Sequence, residues 1–182
     1  LPDEHNRDWS GQARAALRKY FGYVSFRQGQ EELIGAILAG RDAMGIMPTG
    51  AGKSVCYQIP AVLFPGLTIV VSPLISLMKD QADALNESGI PAALLNSTLS
   101  AAEMNRTYKE IELGKYKVVY IAPERLESDR FAEWLNRIRV SLVAVDEAHC
   151  ISQWGHDFRP SYLSIARLMD RLDPRPVVAA FT

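Results

Sequence analysis

Six short apolar runs rich in β-branched residues punctuate the chain at Asp42–Met47, Leu67–Val71, Ala92–Leu95, Lys117–Ile121, Val140–Val145 and Pro176–Phe181, with segments of helical period between them. This alternation constrains the fold more than any other feature. Runs that are apolar throughout, rather than at every second residue, require a sheet covered on both faces. Strand then helix, repeated, implies right-handed crossovers and a parallel sheet. The expected fold class is therefore α/β, a three-layer sandwich around a mainly parallel sheet. In such sheets ligands bind beyond the carboxyl ends of the strands. The residues just after each run are the first candidates for chemistry.

The intervening helices read from their stripes. Ala13, Leu17, Tyr20 and Phe21 share one face, with Ser10 expected as N-cap. Leu33, Ile34, Ile37 and Leu38 mark a second helix that Gly40 ends. Leu74, Met78 and Leu85 mark a third, Met104, Tyr108 and Ile111 a fourth, and Tyr162, Ile165, Met169 and Leu172 a late stripe. A length of 182 residues suits one domain, and 48% hydrophobic residues supply its core, which excludes a disordered tail. Lys+Arg 20 against Asp+Glu 21 leaves a net charge of −1, so any nucleic-acid contact must come from a local patch.

The longest apolar stretch, Ile59 to Val71, is broken by Pro60, Pro65 and Gly66, so no membrane span and no membrane partner are expected. Leu1-Pro2-Asp3-Glu4-His5 has neither a basic flank nor an apolar segment and does not read as a secretory signal. Cys56 and Cys150 are too few for a zinc site or a disulfide framework; two reduced, packed thiols and a cytoplasmic location are expected.

After the first run comes Met47-Pro48-Thr49-Gly50-Ala51-Gly52-Lys53-Ser54. Gly50 and Gly52 let the backbone turn so that successive N–H groups point at a phosphate chain. Lys53 can reach the terminal phosphates as a point charge, the Ser54 hydroxyl can ligate Mg2+, and the helix that opens there adds its positive dipole end. The strict pattern asks for glycine where Met47 stands. An ordinary Gly-rich turn with a surface lysine is the bland alternative, and the position between an apolar strand and a helix argues against it.

A second acidic element follows the fifth run, where Ser141-Leu142-Val143-Ala144-Val145 leads into Asp146-Glu147-Ala148-His149. An acid at the tip of a buried strand beside a phosphate loop is where a Walker-B aspartate holds Mg2+. Glu147 is then the natural base for an attacking water, and His149 can link the site to a neighbouring element through a hydrogen bond. Asp146 and Glu147 can also be read as mere N-terminal residues of the next helix.

Taken together, these motifs resemble the first RecA-like lobe of the RecQ-family DNA helicases of superfamily 2, over nearly everything from Leu17 to Thr182. Phe21-Gly22-Tyr23 with Phe26-Arg27 and Gln30 resembles the family's motif 0. Met47 to Ser54 is similar to motif I, in which the family tolerates a non-glycine at the Met47 position. Val71-Ser72-Pro73-Leu74-Ile75-Ser76-Leu77-Met78-Lys79-Asp80-Gln81 resembles motif Ia, Tyr120-Ile121-Ala122-Pro123-Glu124-Arg125-Leu126 motif Ib, and Asp146 to His149 motif II. Cys150-Ile151-Ser152-Gln153-Trp154-Gly155-His156-Asp157-Phe158-Arg159-Pro160 resembles the aromatic-rich loop that separates RecQ enzymes from other superfamily 2 members.

The resemblance implies an ATP-dependent 3′-to-5′ DNA helicase acting in repair and recombination, with ATP and Mg2+ as cofactors and single-stranded DNA and duplex junctions as partners. It implies Lys53, Asp146, Glu147 and His149 as catalytic residues and Ser54 and Asp146 as Mg2+ ligands. Tyr23, Arg27, Gln30, Thr49, Gly50, Ala51, Gly52, Lys53 and Ser54 would hold the nucleotide. Tyr23 and Arg27 offer flat faces for adenine, and the Gln30 amide can read its edge, a solvated helix position being the alternative. Trp154, His156, Phe158 and Arg159 would take unstacked bases, with Ser72 and Ser76 on the DNA backbone. Lys79, Glu124 and Arg125 are weaker candidates there. Trp154 and Phe158 also fit a buried helical stripe.

In this family a second RecA-like lobe of the same polypeptide closes on the nucleotide. The chain reads as a single lobe over 1–182 that stops inside a motif III-like Ala180-Phe181-Thr182, without that second lobe or accessory domains. Weak binding of Mg·ATP and marginal turnover are expected of it alone, in a cytoplasmic and bacterial setting. Two other readings stay open: a nucleotide-binding switch module that never translocates, and an RNA-directed motor of the Asp-Glu-Ala-His type.

Overall fold

Each of the six apolar runs becomes a strand. The computed structural model describes residues 9–48, 50–152 and 157–182. The strands are β1 (Ala43–Gly45), β2 (Leu67–Val71), β3 (Ala92–Leu95), β4 (Val118–Ile121), β5 (Val140–Val145) and β6 (Val177–Phe181). They form one sheet in the order β1-β6-β5-β2-β4-β3, parallel at each pairing. The helices are α1 (Trp9–Phe21), α2 (Gln30–Leu38), α3 (Lys53–Leu63), α4 (Ile75–Glu87), α5 (Ala101–Glu112), α6 (Asp129–Leu135) and α7 (Ser164–Arg171).

The pleat divides each central strand between two cores. Val70, Val118, Tyr120, Leu142 and Ala144 point to one side, where they pack with α1 to α4. Ile69, Val71, Val119, Ile121, Val143 and Val145 point to the other, where α5, α6 and α7 cover them. This gives the expected three layers. It also explains why β2 and β4 are apolar at nearly every residue: both faces are dry, and each aliphatic side chain so buried is worth about 1.5–3 kcal/mol. Cys56 and Cys150 are free, buried thiols, and burial pushes Cys56 up to about 12.

Four local expectations need correction. The run Asp42–Met47 yields a strand of only three residues, and Met44 and Ile46 are 62% and 79% exposed, because β1 lies at the sheet edge with a neighbour on one side only. Ser10 does not cap α1; it lies inside the helix and donates to Glu31 Oε1 at 2.8 Å, beside the Arg14–Glu31 ion pair that ties α1 to α2. Leu74 precedes α4 and is exposed, so the buried stripe of that helix is Met78, Ala82 and Leu85. Finally, α6 and the 3-10 turn Pro123–Glu127 have no counterpart in the stripes, being too short to repeat a period. Gly40 does end α2: its φ is +76° and its N–H bonds the Ile37 carbonyl.

Every loop of chemical interest leaves the same rim of the sheet. The glycine-rich loop follows β1, Ser72 follows β2, Asn96 follows β3, Ala122 follows β4, Asp146 follows β5 and Thr182 follows β6.

Candidate functional site

The loop after β1 turns on two left-handed glycines, Gly50 (φ +81°) and Gly52 (φ +83°), and Gly52 is the residue on which α3 opens. A side chain at Gly52 is excluded twice over, since its Cβ would stand 2.6 Å from Gln30 Nε2. Met47 fills the position where a stricter loop has glycine. It packs against the α1–α4 core, and its N–H bonds the Thr182 carbonyl at 2.9 Å, so the end of β6 braces the start of the loop. Thr49 lies outside the described residues.

Two residues of the α1–α2 connection hold this loop. Gln30 opens α2 on the same face as Ile34 and Ile37 and is 3% exposed. Its Oε1 accepts from the Arg27 N–H at 2.8 Å, and its Nε2 donates to the carbonyls of Ala51 and Gly52 at 3.2 and 3.0 Å. The Arg27 guanidinium donates to the Gly50 carbonyl. The Gln30 amide therefore does not stand open to an adenine edge in this conformation of the loop. It is neither a solvated position nor a free reader, but a clamp on the loop backbone. Tyr23 is 52% exposed beside it and keeps an aromatic face available.

The acid after β5 converges on the same loop. Lys53 Nζ lies 3.4 Å from Glu147 Oε1, and His149 Nδ1 lies 3.3 Å from Glu147 Oε2 and 2.9 Å from Thr182 Oγ1. His149 thus links the β5 turn to the end of β6. Glu147 takes a left-handed backbone (φ +49°), which costs a residue other than glycine on the order of 1 kcal/mol. Anchors on both sides retain it: the buried Tyr162 hydroxyl donates to the Asp146 carbonyl at 2.8 Å, and Lys53 and His149 hold the Glu147 carboxylate. The element after Glu147 is a single 3-10 turn, too short for Asp146 and Glu147 to be read as residues serving a helix dipole.

Asp146 is 5% exposed. Burial first, and then the charge of Glu147, push its carboxyl above the usual aspartate range, while the Glu147 N–H, Lys53 and Ser72 act in the opposite direction. A hydroxyl at Ser54 and a carboxylate at Asp146 make a hard, oxygen-only donor pair, and the strained charge on Asp146 would be relieved by a cation. Among the described residues no three His, Cys, Asp or Glu side chains form a cage. A Mg2+ ion fits this pair as one that draws its remaining ligands from phosphate and water. With Lys53 and the N-terminus of α3, the arrangement can neutralise a polyphosphate and align a water against it.

Ser72 is corrected by the structure. It is 2% exposed, and its hydroxyl donates to Asp146 Oδ2 at 3.5 Å, so it faces the acid rather than a DNA backbone. Ser76 and Lys79 are exposed on α4. The remaining strand-contact candidates gather at the other half of the rim. Pro73, Ile75, Asn96, Glu124, Arg125 and Arg159 border a hollow of about 460 Å³ beyond the ends of β2, β4 and β3. No ion pair joins Glu124 to Arg125. Phe158 is half-buried beside Arg159, whose N–H bonds the Cys150 carbonyl at 2.8 Å. Trp154 and His156 lie outside the described residues.

Three contributors escaped the sequence. Gln81 donates to Ser54 Oγ at 3.4 Å and accepts from the Tyr57 hydroxyl at 2.7 Å, and Tyr162 holds the Asp146 carbonyl. A signal existed for Gln81: it is a polar residue between Met78 and Leu85 at the spacing of a buried stripe.

The family profile described as DEAD/DEAH box helicase matches residues 27–182. The ATP-dependent DNA helicase RecQ of Bacillus subtilis (strain 168) is 56% identical over 171 residues, covering 93% of this chain and 29% of that protein. The RecQ helicase of Haemophilus influenzae is 48% identical over 167 residues, covering 92% of the chain and 27% of the relative. The chain therefore spans less than a third of the length of these relatives. Among solved structures, the DUF1998 helicase MrfA bound to DNA and AMPPNP is similar with a TM-score of 0.76 at 20% identity, over 94% of this chain and 26% of that one. The Pyrococcus furiosus Hef helicase domain follows with a TM-score of 0.64 at 23% identity, over 86% and 32%. At those identities the structures share the fold.

Proposed function

The chain belongs to the DEAD/DEAH box helicase family, in which it resembles the first RecA-like lobe of the RecQ enzymes, and from that membership we propose that it is the Mg·ATP-binding lobe of a 3′-to-5′ DNA helicase. The observation that carries this reading is the convergence of Lys53, Ser54, Asp146 and Glu147 at one point of the rim, with Lys53 and Glu147 3.4 Å apart. Lys53 and the loop N–H groups would hold the β and γ phosphates, and Mg2+ between Ser54 and Asp146 would supply charge neutralisation. Glu147 would take a proton from the water that attacks the γ phosphorus. The new P–O bond forms as the bond to the bridging β–γ oxygen breaks, leaving ADP and phosphate.

His149 bridges Glu147 to Thr182, so the end of β6 is coupled to the base. The open rim beyond β2, β4 and β3, with Lys79, Arg125 and Arg159, would carry single-stranded DNA, and the segment around Trp154 and His156 would stack on its bases. The partner lobe that completes the motor belongs, in this reading, to the remainder of a longer polypeptide, which works in repair and recombination in the bacterial cytoplasm. Such a lobe supplies arginines worth on the order of 10³–10⁵ in rate in related phosphoryl transfer.

Two measurements test the proposal. The chain alone should bind Mg·ATP with marginal turnover, whereas the full-length enzyme should hydrolyse ATP in response to single-stranded DNA and not to RNA. A DNA-stimulated ATPase from this chain alone, or RNA stimulation of the full-length enzyme, would contradict it.

A further inference from the structure

We propose that Gln81 is a positioning residue for the Ser54 hydroxyl and that it sets the Mg2+-dependent part of nucleotide affinity. The inference rests on reading the loop after β1 as a Mg·ATP site. Gln81 lies on the inward face of α4, whose outward face carries Ser76 and Lys79. Its amide is oriented from one side and acts on the other. The Tyr57 hydroxyl donates to Oε1 at 2.7 Å, which leaves Nε2 to donate to Ser54 Oγ at 3.4 Å.

Tyr57 is 1% exposed, and its hydroxyl, which also interacts with Ser54 and Tyr120, presents its proton to Oε1 and so turns Nε2 toward Ser54. Without Gln81, a serine hydroxyl in the first turn of a helix samples several rotamers. With it, one lone pair of Oγ is taken from the α4 side and another is left for a cation. The length of the Gln81–Ser54 bond suits a contact that tightens when ligand arrives. Ser72 repeats the pattern, because its hydroxyl reaches the Asp146 carboxylate from the end of β2. Both oxygens that would face the metal are thus held from the β2–α4 segment, the same segment that presents Ser76 and Lys79 to the strand-binding rim.

Equilibrium titration of the chain with a fluorescent ATP analogue, in Mg2+ and again in EDTA, tests this directly. Gln81→Leu should weaken binding in Mg2+ by about tenfold and leave binding in EDTA within about twofold, the size expected for one hydrogen bond to a ligating group. Tyr57→Phe, which frees the amide's orientation and also removes the phenol's own interaction with Ser54, should shift the same ratio by about threefold, again in Mg2+ only. In a Ser54→Ala background Gln81→Leu should add nothing, because the hydroxyl it positions is gone. Equal losses in Mg2+ and EDTA, or a full additional loss on Ser54→Ala, would overturn the inference. Should Gln81→Leu fail to fold, Gln81→Met, of similar length and with no N–H to donate, decides by the same ratio. A wild-type chain that binds the analogue equally well with and without Mg2+ would overturn the Mg·ATP reading itself, a different outcome from an intact Mg2+ dependence that Gln81→Leu leaves unchanged.

Discussion

Around the glycine loop and the β5 acid the polar side chains already hold protein partners, whereas among the described residues the basic ones beyond β2, β4 and β3 do not. Gln30 grips the glycine loop, Lys53 and His149 share Glu147, Ser72 faces Asp146, and Gln81 reaches Ser54. Lys79, Arg125 and Arg159, by contrast, make no side-chain hydrogen bond or ion pair with another described residue. The difference matches what the two tasks proposed for the rim would require. Phosphoryl transfer needs dipoles and charges fixed before the ligand arrives, so that no reorganisation is spent at the moment of reaction. Gripping a nucleic-acid backbone of any sequence needs unpaired cations that can exchange counterions for phosphates.

The largest effect that can break this contrast is at Lys53. Lys53→Ala should weaken ATP binding by roughly a hundredfold or more, since it removes the charge on the phosphates and leaves Glu147 held by His149 alone of the two. Titration with and without Mg2+ checks it, and an unchanged affinity would mean that the prepared half of the rim is prepared for something else. A smaller effect sharpens the other half. Lys79→Ala and Arg125→Ala should each lower single-strand affinity and reduce the log–log salt slope by about 0.7 while leaving nucleotide affinity alone. A loss of nucleotide binding in either variant would show that the two halves are not separate.

How far the sequence reveals this division depends on whether a feature is local. The glycine loop and the β5 acid are contiguous runs whose chemistry needs their own neighbours in the chain, so both read directly. The three-layer sheet also reads directly, because strands apolar at nearly every residue, such as Leu67–Val71, require cover on both faces. The edge position of β1 does not, since it depends on the crossover that places β6 between β1 and β5. Met44 and Ile46 look like core until the strand order is known. Ser72 and Gln81 were obscured for the same reason: their partners, Asp146 and Ser54, are brought to them by the sheet and not by spacing. Gln30 was expected to face a nucleotide, and its buried place on the Ile34 and Ile37 face of α2 instead turns it toward the loop carbonyls.

The proposed function requires the loop and the β5 acid to form a single polyphosphate site. A crystal structure of the chain with Mg2+ and a nonhydrolysable ATP analogue tests that most directly. Lys53 Nζ should leave Glu147 for the terminal phosphates, with Ser54 Oγ and Asp146 turned to the metal. An analogue bound elsewhere at saturation, with Lys53 still paired to Glu147, would contradict it.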